Sequence, residues 1–340
     1  MCPSLPPSES PHAVMLGLST GMWISQALCG VAYHGLADVL VAGARHPEEI
    51  AAATGTHADT VRRVLRALAS FGIFSETEHG FALTPLSQTL LSDSPSSLRY
   101  LFMLQGAPGH WRAWGEIVKV LADGRPGTLS AYGEHVYDFL AKHPEEAEIF
   151  DRAMTAMSRV TVPAVMAVCD FSSSSVVVDI AGGQGWFLSA VLQRNAHVRG
   201  VLFDRPDVIE RAMRDGPLVP FADRCRFEGG SFLNAVPGGA DTYLTMRSIH
   251  SWPDDGATAI LRTIAQAMTK TARLLIVDPV LGVNPRAPIT DLEMLVWANG
   301  RERTREELTV LLQAAGLHLV SLIPTAGNRL SVIEARSAAG

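Results

Sequence analysis

Val176-Val177-Val178-Asp179-Ile180-Ala181-Gly182-Gly183-Gln184-Gly185 is the stretch on which the fold turns. Its β-branched run predicts a parallel strand covered on both faces, because such strands lose the alternation of apolar and polar residues. Gly182, Gly183 and Gly185 remove the Cβ atoms that would hold a ligand off the strand end, and 186–193 reads as the helix that follows. A dinucleotide fingerprint would need a third glycine at position 188, where the chain has Leu188. The next apolar run, Gly200-Val201-Leu202-Phe203-Asp204, ends on a carboxylate placed to accept both ribose hydroxyls. Turn and carboxylate together point to a nucleoside without phosphates, and S-adenosylmethionine is the commonest cofactor of that kind.

Downstream, apolar strands at Thr242–Met246 and 274–278 alternate with a helix over 255–268, a doubly wound α/β pattern. Ligands in such folds lie beyond the carboxyl ends of the strands. Ser231 and Phe232 follow a third strand and could bracket an adenine ring. His250 follows the fourth strand, near the bound cofactor. Upstream, 47–55 reads as a short helix ended by Gly55, Asp59 as the cap of a second helix reaching Ser70, and 72–84 as a hairpin turning at Glu78-His79-Gly80. That order is a winged helix. Arg62, Arg63 and Arg66 lie on its second helix, but three arginines there make too narrow a basic patch for phosphate binding.

At 340 residues the chain is expected to hold two domains, and 47% hydrophobic with 18% charged residues is the composition of a folded soluble protein. The proline-rich residues 1–12 read as an unstructured tail without the features of a signal peptide. Cys2, Cys29, Cys169 and Cys225 show no metal or disulfide spacing, so no metal site is expected and a cytoplasmic location fits. A formal charge of −6 offers nucleic acid no electrostatic footprint. Residues 13–37 carry no charge, yet Ser19, Thr20, Ser25, Gln26 and His34 interrupt them, so burial in a subunit interface is expected rather than a membrane.

The motifs at 178–185 and 203–206, His250-Ser251-Trp252 and Gly300-Arg301-Glu302-Arg303-Thr304 resemble the small-molecule O-methyltransferases of the plant caffeate and acetylserotonin type and their bacterial relatives in antibiotic biosynthesis. The resemblance runs from about Gly17 to the C-terminus. It implies a winged-helix-like dimerisation domain at 13–100, connecting helices contributing a substrate wall at 101–165, and a Rossmann-like S-adenosylmethionine-binding domain at 166–340. It also implies a homodimer that methylates a hydroxyl of a small aromatic or polyketide-like metabolite and releases S-adenosylhomocysteine. The cofactor residues it implies are Ser158, Asp179, Gly182, Gly183, Gly185, Asp204, Arg205, Ser231, Phe232, Met246, Arg247 and Trp252. The substrate residues are Phe150, Met154, Met157, Ser251, Met294 and Trp297. His250 matches the catalytic base, Glu302 its acidic partner, and Asp278 a second carboxylate. The chain departs from the family at Ala181, Arg205, Ser231, Met246 and Ser251.

Methyl transfer is an in-line displacement that demands orientation along one axis. Moving a proton from a phenol (pKa about 10) to a histidine (about 6.5) costs roughly 5 kcal/mol as a separate step. A sulfonium about 5 Å away offsets roughly 3 kcal/mol of this at an effective dielectric of about 20. A carboxylate on the other ring nitrogen stabilises the imidazolium, the part expected of Glu302. The alternatives are N- or C-methylation on the same scaffold, or hydroxylation or decarboxylation by a cofactor-retaining relative.

Overall fold

The Glu49 carboxylate accepts the His46 backbone N–H at 2.8 Å, which starts helix Pro47–Thr54, and Gly55, at φ 66°, ends it. The structure is a computed structural model that describes residues 10–94 and 96–338. Helix Ala58–Ala69 is capped by the His57 ring, which accepts from the Thr60 N–H. The expected cap, Asp59, lies inside the first turn, where its charge favours the helix dipole. Strands β1 (Phe74–Thr77) and β2 (Gly80–Leu83) then pair antiparallel, with Thr77 opposite Gly80. Ile50, Leu65, Leu68, Phe74 and Phe81 close a core beneath this winged-helix arrangement. On the second helix Arg66 pairs with Glu76 at 2.6 Å and Arg62 with Glu48.

Ahead of it run helices Pro11–Ser19 and Gly21–His34. Ser10 caps the first of them, so Pro11 and His12, which the expected tail over 1–12 included, are helical; Pro3, Pro6 and Pro7 of that tail lie outside the described residues. The stretch Pro11–His34 is long and apolar enough to cross a membrane: an 18-residue window in it has mean hydropathy 1.4, and 11% of that window is buried.

The chain divides into two compact units, the first holding residues up to Trp111 with His143–Met157, the second Arg112–Lys142 and everything from Ser158. The stretch 101–165 is shared between them.

The second unit is built on β3 (Val176–Ile180), β4 (Arg199–Asp204), β5 (Cys225–Gly229), β6 (Thr242–Met246), β7 (Arg273–Asp278), β8 (Val280–Leu281), β9 (Arg303–Thr304), β10 (Leu317–Pro324) and β11 (Ser331–Ser337). Seven of these form one sheet in the order β10-β11-β7-β6-β3-β4-β5. From β5 to β7 the pairing is parallel, while β10 and β11 add an antiparallel edge. The period of two sorts side chains between two cores. Val178 and Ile180 enter one with Leu274 and Ile276, and Val177 enters the other with Leu275 and Val277. Each fully buried aliphatic side chain contributes about 2 kcal/mol. Leu188, at the position a dinucleotide fold gives to glycine, fills the space above Gly200, where a Cβ would come within 3.0 Å of it. Because β4 and β6 flank β3 on opposite sides, the strand order reverses there and opens a crevice at the carboxyl ends.

Candidate active site

The turn after β3 is shaped by a close approach. A Cβ on Gly182 would lie 2.5 Å from Leu202 and 2.6 Å from the Asp179 carboxyl carbon. Gly183 and Gly185 are left-handed at φ 58° and 82°. Ala181, the departure from the family glycine, holds φ 54° at some strain. Its N–H donates to Phe203 at 2.8 Å, which fixes the turn to β4. Asp204 is gripped by two backbone amides, Gly183 N–H at 2.8 Å and Arg205 N–H at 2.7 Å.

Asp179 is buried, and burial first, with the Asp204 charge adding to it, pushes its carboxyl well above the usual range. Its Oδ2 has no hydrogen-bond partner among the described residues, and neither does Trp252 Nε1. Buried polar atoms are ordinarily satisfied, so a carboxylate oxygen below the glycine turn and an indole N–H suit a polar ligand at this edge.

His250 sits on the short turn Ile249–Ser251 that follows β6. Its Nδ1 donates to Glu302 Oε1 at 2.7 Å, both side chains being buried. Because a carboxylate can only accept, this bond leaves Nε2 as the basic nitrogen. The His250 N–H donates to Asp278 Oδ2 at 3.2 Å, and the Arg301 N–H donates to the His250 carbonyl at 2.8 Å. Burial alone would depress the imidazole, but Asp278 and Glu302 together carry it above its ordinary value against the opposing charge of Arg247. Burial likewise raises the Glu302 carboxyl, with His250 pulling the other way.

Arg247 follows β6 at φ 53°, and burial pushes its guanidinium down to about 10. It donates to Ser158 Oγ at 2.7 Å and Thr161 Oγ1 at 3.2 Å. Met246, partly buried, packs against the core that holds Val177, Leu275 and Val277. Phe232 meets the Trp252 ring edge-on, at 5.8 Å between centroids. Ser251 donates to Met294 Sδ at 3.7 Å, and Met294 and Trp297 are buried on a π-helical turn, Met294–Ala298, a feature common at functional sites. The second unit therefore carries Ser158, Asp179, Gly182, Gly183, Gly185, Asp204, Arg205, Phe232, Met246, Arg247, His250, Ser251, Trp252, Asp278, Met294, Trp297 and Glu302. Ser231 is exposed instead, its Oγ taken by the Leu233 N–H. Phe150, Met154 and Met157 lie half-buried in the first unit, on helix Pro144–Met166.

Several residues of this region were not found by sequence reasoning. Asp291 accepts the Glu302 N–H at 2.7 Å. Arg303, buried, holds the Trp252 carbonyl at 2.8 Å and Asp254 at 2.9 Å. A Cβ on Gly300 would fall 2.1 Å from the His250 carbonyl, so only glycine fits. His135 and Tyr137 stack along Trp252 at 5.1 and 6.4 Å. Glycine and arginine within the 300–304 motif were visible signals for two of these; nothing in the pattern around 135–137 marks its residues.

Residues 114–318 match the family described as the O-methyltransferase domain, and residues 16–93 match the O-methyltransferase dimerisation domain. The chain belongs to this O-methyltransferase family. It is 37% identical to phenazine O-methyltransferase PhzM of Lysobacter antibioticus, over 95% of this chain and 96% of that one. It is 36% identical to the mitomycin biosynthesis 6-O-methyltransferase of Streptomyces lavendulae, over 94% and 92%. It is 34% identical to 8-amino-8-demethylriboflavin N,N-dimethyltransferase of Streptomyces davaonensis, over 93% of each. The crystal structure of LaPhzM superposes with a TM-score of 0.92 at 36% identity, covering 97% of this chain and all 100% of that one. The O-methyltransferase NcsB1 from neocarzinostatin biosynthesis, solved with S-adenosylmethionine and 2-hydroxy-5-methyl naphthoic acid, superposes with a TM-score of 0.79 at 29% identity, covering 92% and 95%. The chain is thus an S-adenosylmethionine-dependent methyltransferase. The unsatisfied Asp179 oxygen and the cradle at Gly182 are features into which that cofactor fits.

Proposed function

We propose that this enzyme methylates a hydroxyl of a planar aromatic or polyketide-like metabolite in bacterial secondary metabolism, with His250 as general base. The observation that carries the reading is the buried bond from His250 Nδ1 to Glu302 Oε1. S-adenosylmethionine, when bound, supplies a methyl group on a positively charged sulfur. Asp204 would hold the ribose, Asp179 and the Gly182-Gly183 backbone the neighbouring part of the cofactor, and Trp252 and Phe232 the adenine. Arg247 would keep Ser158 in place. His250 Nε2 takes the acceptor proton while Glu302 stabilises the resulting imidazolium and holds the ring, and Asp278 adds negative potential. Met294 and Trp297 would line the acceptor.

The relatives include an N,N-dimethyltransferase. The base favours oxygen here, because an amine attacks through its lone pair and sheds its proton afterwards, whereas a neutral phenol must lose its proton to become a good nucleophile. The reading extends to a homodimer in the cytoplasm, its exposed apolar residues Met15, Leu16, Leu18, Met22 and Trp23 covered by a second copy. The test is mass spectrometry of products after incubation with labelled S-adenosylmethionine and 1,4-dihydroxy-2-naphthoic acid, 1-hydroxyphenazine and their amino analogues. Label on oxygen supports the reading; label on the amines alone sinks it.

A further inference from the structure

Arg159 stands on the part of helix Pro144–Met166 that belongs to the second unit, one residue after Ser158. Ser158 is held from the end of β6 by Arg247, and the next residue along a helix projects about 100° away. The Arg159 side chain accordingly reaches a different element. Its guanidinium carbon lies 4.7 Å from the centre of the Trp186 ring. Trp186 directly follows Gly185 and opens helix Trp186–Arg194, so this cation is fastened to the glycine turn itself.

Its donors are uncommitted. An aromatic ring takes no conventional hydrogen bond, and among the described residues the Arg159 guanidinium makes neither an ion pair nor a hydrogen bond; the residue is exposed. Two other arginines at this end of the sheet are engaged, Arg247 with Ser158 and Thr161, and Arg205 with Asp207 at 3.2 Å and the Tyr137 carbonyl at 2.8 Å. The turn itself is negative, since the Asp179 carboxyl lies against Gly182 and Asp204 accepts the Gly183 N–H. It is also open, because a Cβ on Gly183 would meet nothing within 4 Å. Helix Trp186–Arg194 has no acid in its first turn and no side-chain cap, so its positive end reinforces the charge of Arg159.

We propose that Arg159, held over Trp186, binds the carboxylate at the amino-acid end of S-adenosylmethionine. That end is a zwitterion. The buried, unpartnered Asp179 Oδ2 suits its ammonium, but a carboxylate brought to a turn that already holds Asp179 and Asp204 needs a cation. A guanidinium fork matches a carboxylate with two parallel N–H···O bonds. Contact with the Trp186 ring restricts the arginine before the ligand arrives, so less freedom is lost on binding. The proposal rests on the placement of the cofactor at the glycine turn, and not on the acceptor being an oxygen.

The test is calorimetry with two ligands that differ by one group, S-adenosylhomocysteine and its decarboxylated analogue, which keeps the ammonium, the thioether and the nucleoside. Weak binding is read by displacement. Wild type is expected to prefer S-adenosylhomocysteine by about tenfold or more, the scale of a charge-assisted hydrogen bond, and the preference should shrink with added salt. Arg159→Gln should lose about tenfold in affinity for S-adenosylhomocysteine and less than about twofold for the analogue, so that the two ligands converge. Arg159→Lys should restore part of the preference, because it returns the charge without the fork. A wild type that binds both ligands alike, an Arg159→Gln variant with unchanged S-adenosylhomocysteine affinity, or equal losses for the two ligands would overturn the proposal. A wild type that binds neither ligand would remove the placement of the cofactor and the proposal with it, an outcome distinct from binding both alike. None of these measurements needs an acceptor, so they stand apart from the product analysis that tests oxygen methylation.

Discussion

Glu302 Oε1 lies 2.7 Å from His250 Nδ1, and the Glu302 main chain is held in turn by Asp291, whose Oδ1 accepts its N–H at 2.7 Å. His250 is therefore fixed from two directions. Its ring is held through the 302 carboxylate, and its own main chain by Asp278 and by the Arg301 N–H.

If His250 and Glu302 act on one step, His250→Ala should lower turnover by about two to four orders of magnitude with S-adenosylhomocysteine affinity nearly unchanged. Glu302→Gln should do less, because the imidazole still accepts a proton. The double variant should be little worse than His250→Ala, as for residues working as a unit. Steady-state kinetics with calorimetry checks all three. Additive losses would give Glu302 a separate role, and wild-type turnover in His250→Ala would remove the base assignment.

The pH dependence follows from the groups that face His250: Asp278 and Glu302 raise it, while burial and Arg247 oppose them. If His250 is the base, activity needs the neutral ring, and the acid limb of kcat/KM should be shifted upward from the ordinary histidine value. Asp278→Asn keeps an oxygen for the His250 N–H but removes the charge, and the limb should move to lower pH. The same raised pKa means that protonated His250 stabilises the fold in acid, a contribution lost as pH rises through the folded value. A pH–rate profile in which Asp278→Asn leaves the limb in place would show that its charge is not felt at the ring.

Strand β3, the turn after it, Asp204 and His250 were legible in the sequence because local pattern alone determines them: a β-branched run, glycines where a Cβ would collide with Leu202 or Leu218, and a carboxylate at a strand end. What escaped depends on residues far apart in sequence. His135 and Tyr137 reach Trp252 only because their segment lies against the turn after β6, and no periodicity of either stretch encodes that encounter. The antiparallel pair of β10 and β11 was missed for a similar reason, since Leu317–Pro324 does not reveal which edge it joins. The exposure of Ser231, whose Oγ accepts the Leu233 N–H, was not legible because a position after a strand does not determine where a small hydroxyl points.

The exposed apolar helices predict an obligate dimer. Leu18→Glu combined with Trp23→Glu, at positions 68% and 65% exposed, should yield a monomer or insoluble protein, read by analytical ultracentrifugation. Wild-type protein sedimenting as an active monomer would contradict it, because apolar patches of this kind are ordinarily covered.

Asp179 offers a sharper test, because its fold stability and its use should pull in opposite directions. The carboxyl is buried and keeps Oδ2 without a partner among the described residues. Its folded pKa is raised, so the native state holds its proton more tightly than the unfolded chain does. Stability is then lost as pH rises from the unfolded value of about 3.9 through the folded one. Asp179→Asn removes the charge that causes this loss. It should raise the melting temperature at pH about 8 by a few degrees, corresponding to about 1–2 kcal/mol, and change it little at pH about 4. The same variant should weaken S-adenosylhomocysteine binding, since the carboxylate that the fold tolerates at a cost is the one offered to the cofactor. Melting curves at the two pH values, with calorimetry at neutral pH, measure both. A variant less stable at pH about 8 than wild type would mean that Asp179 stabilises the fold as an anion.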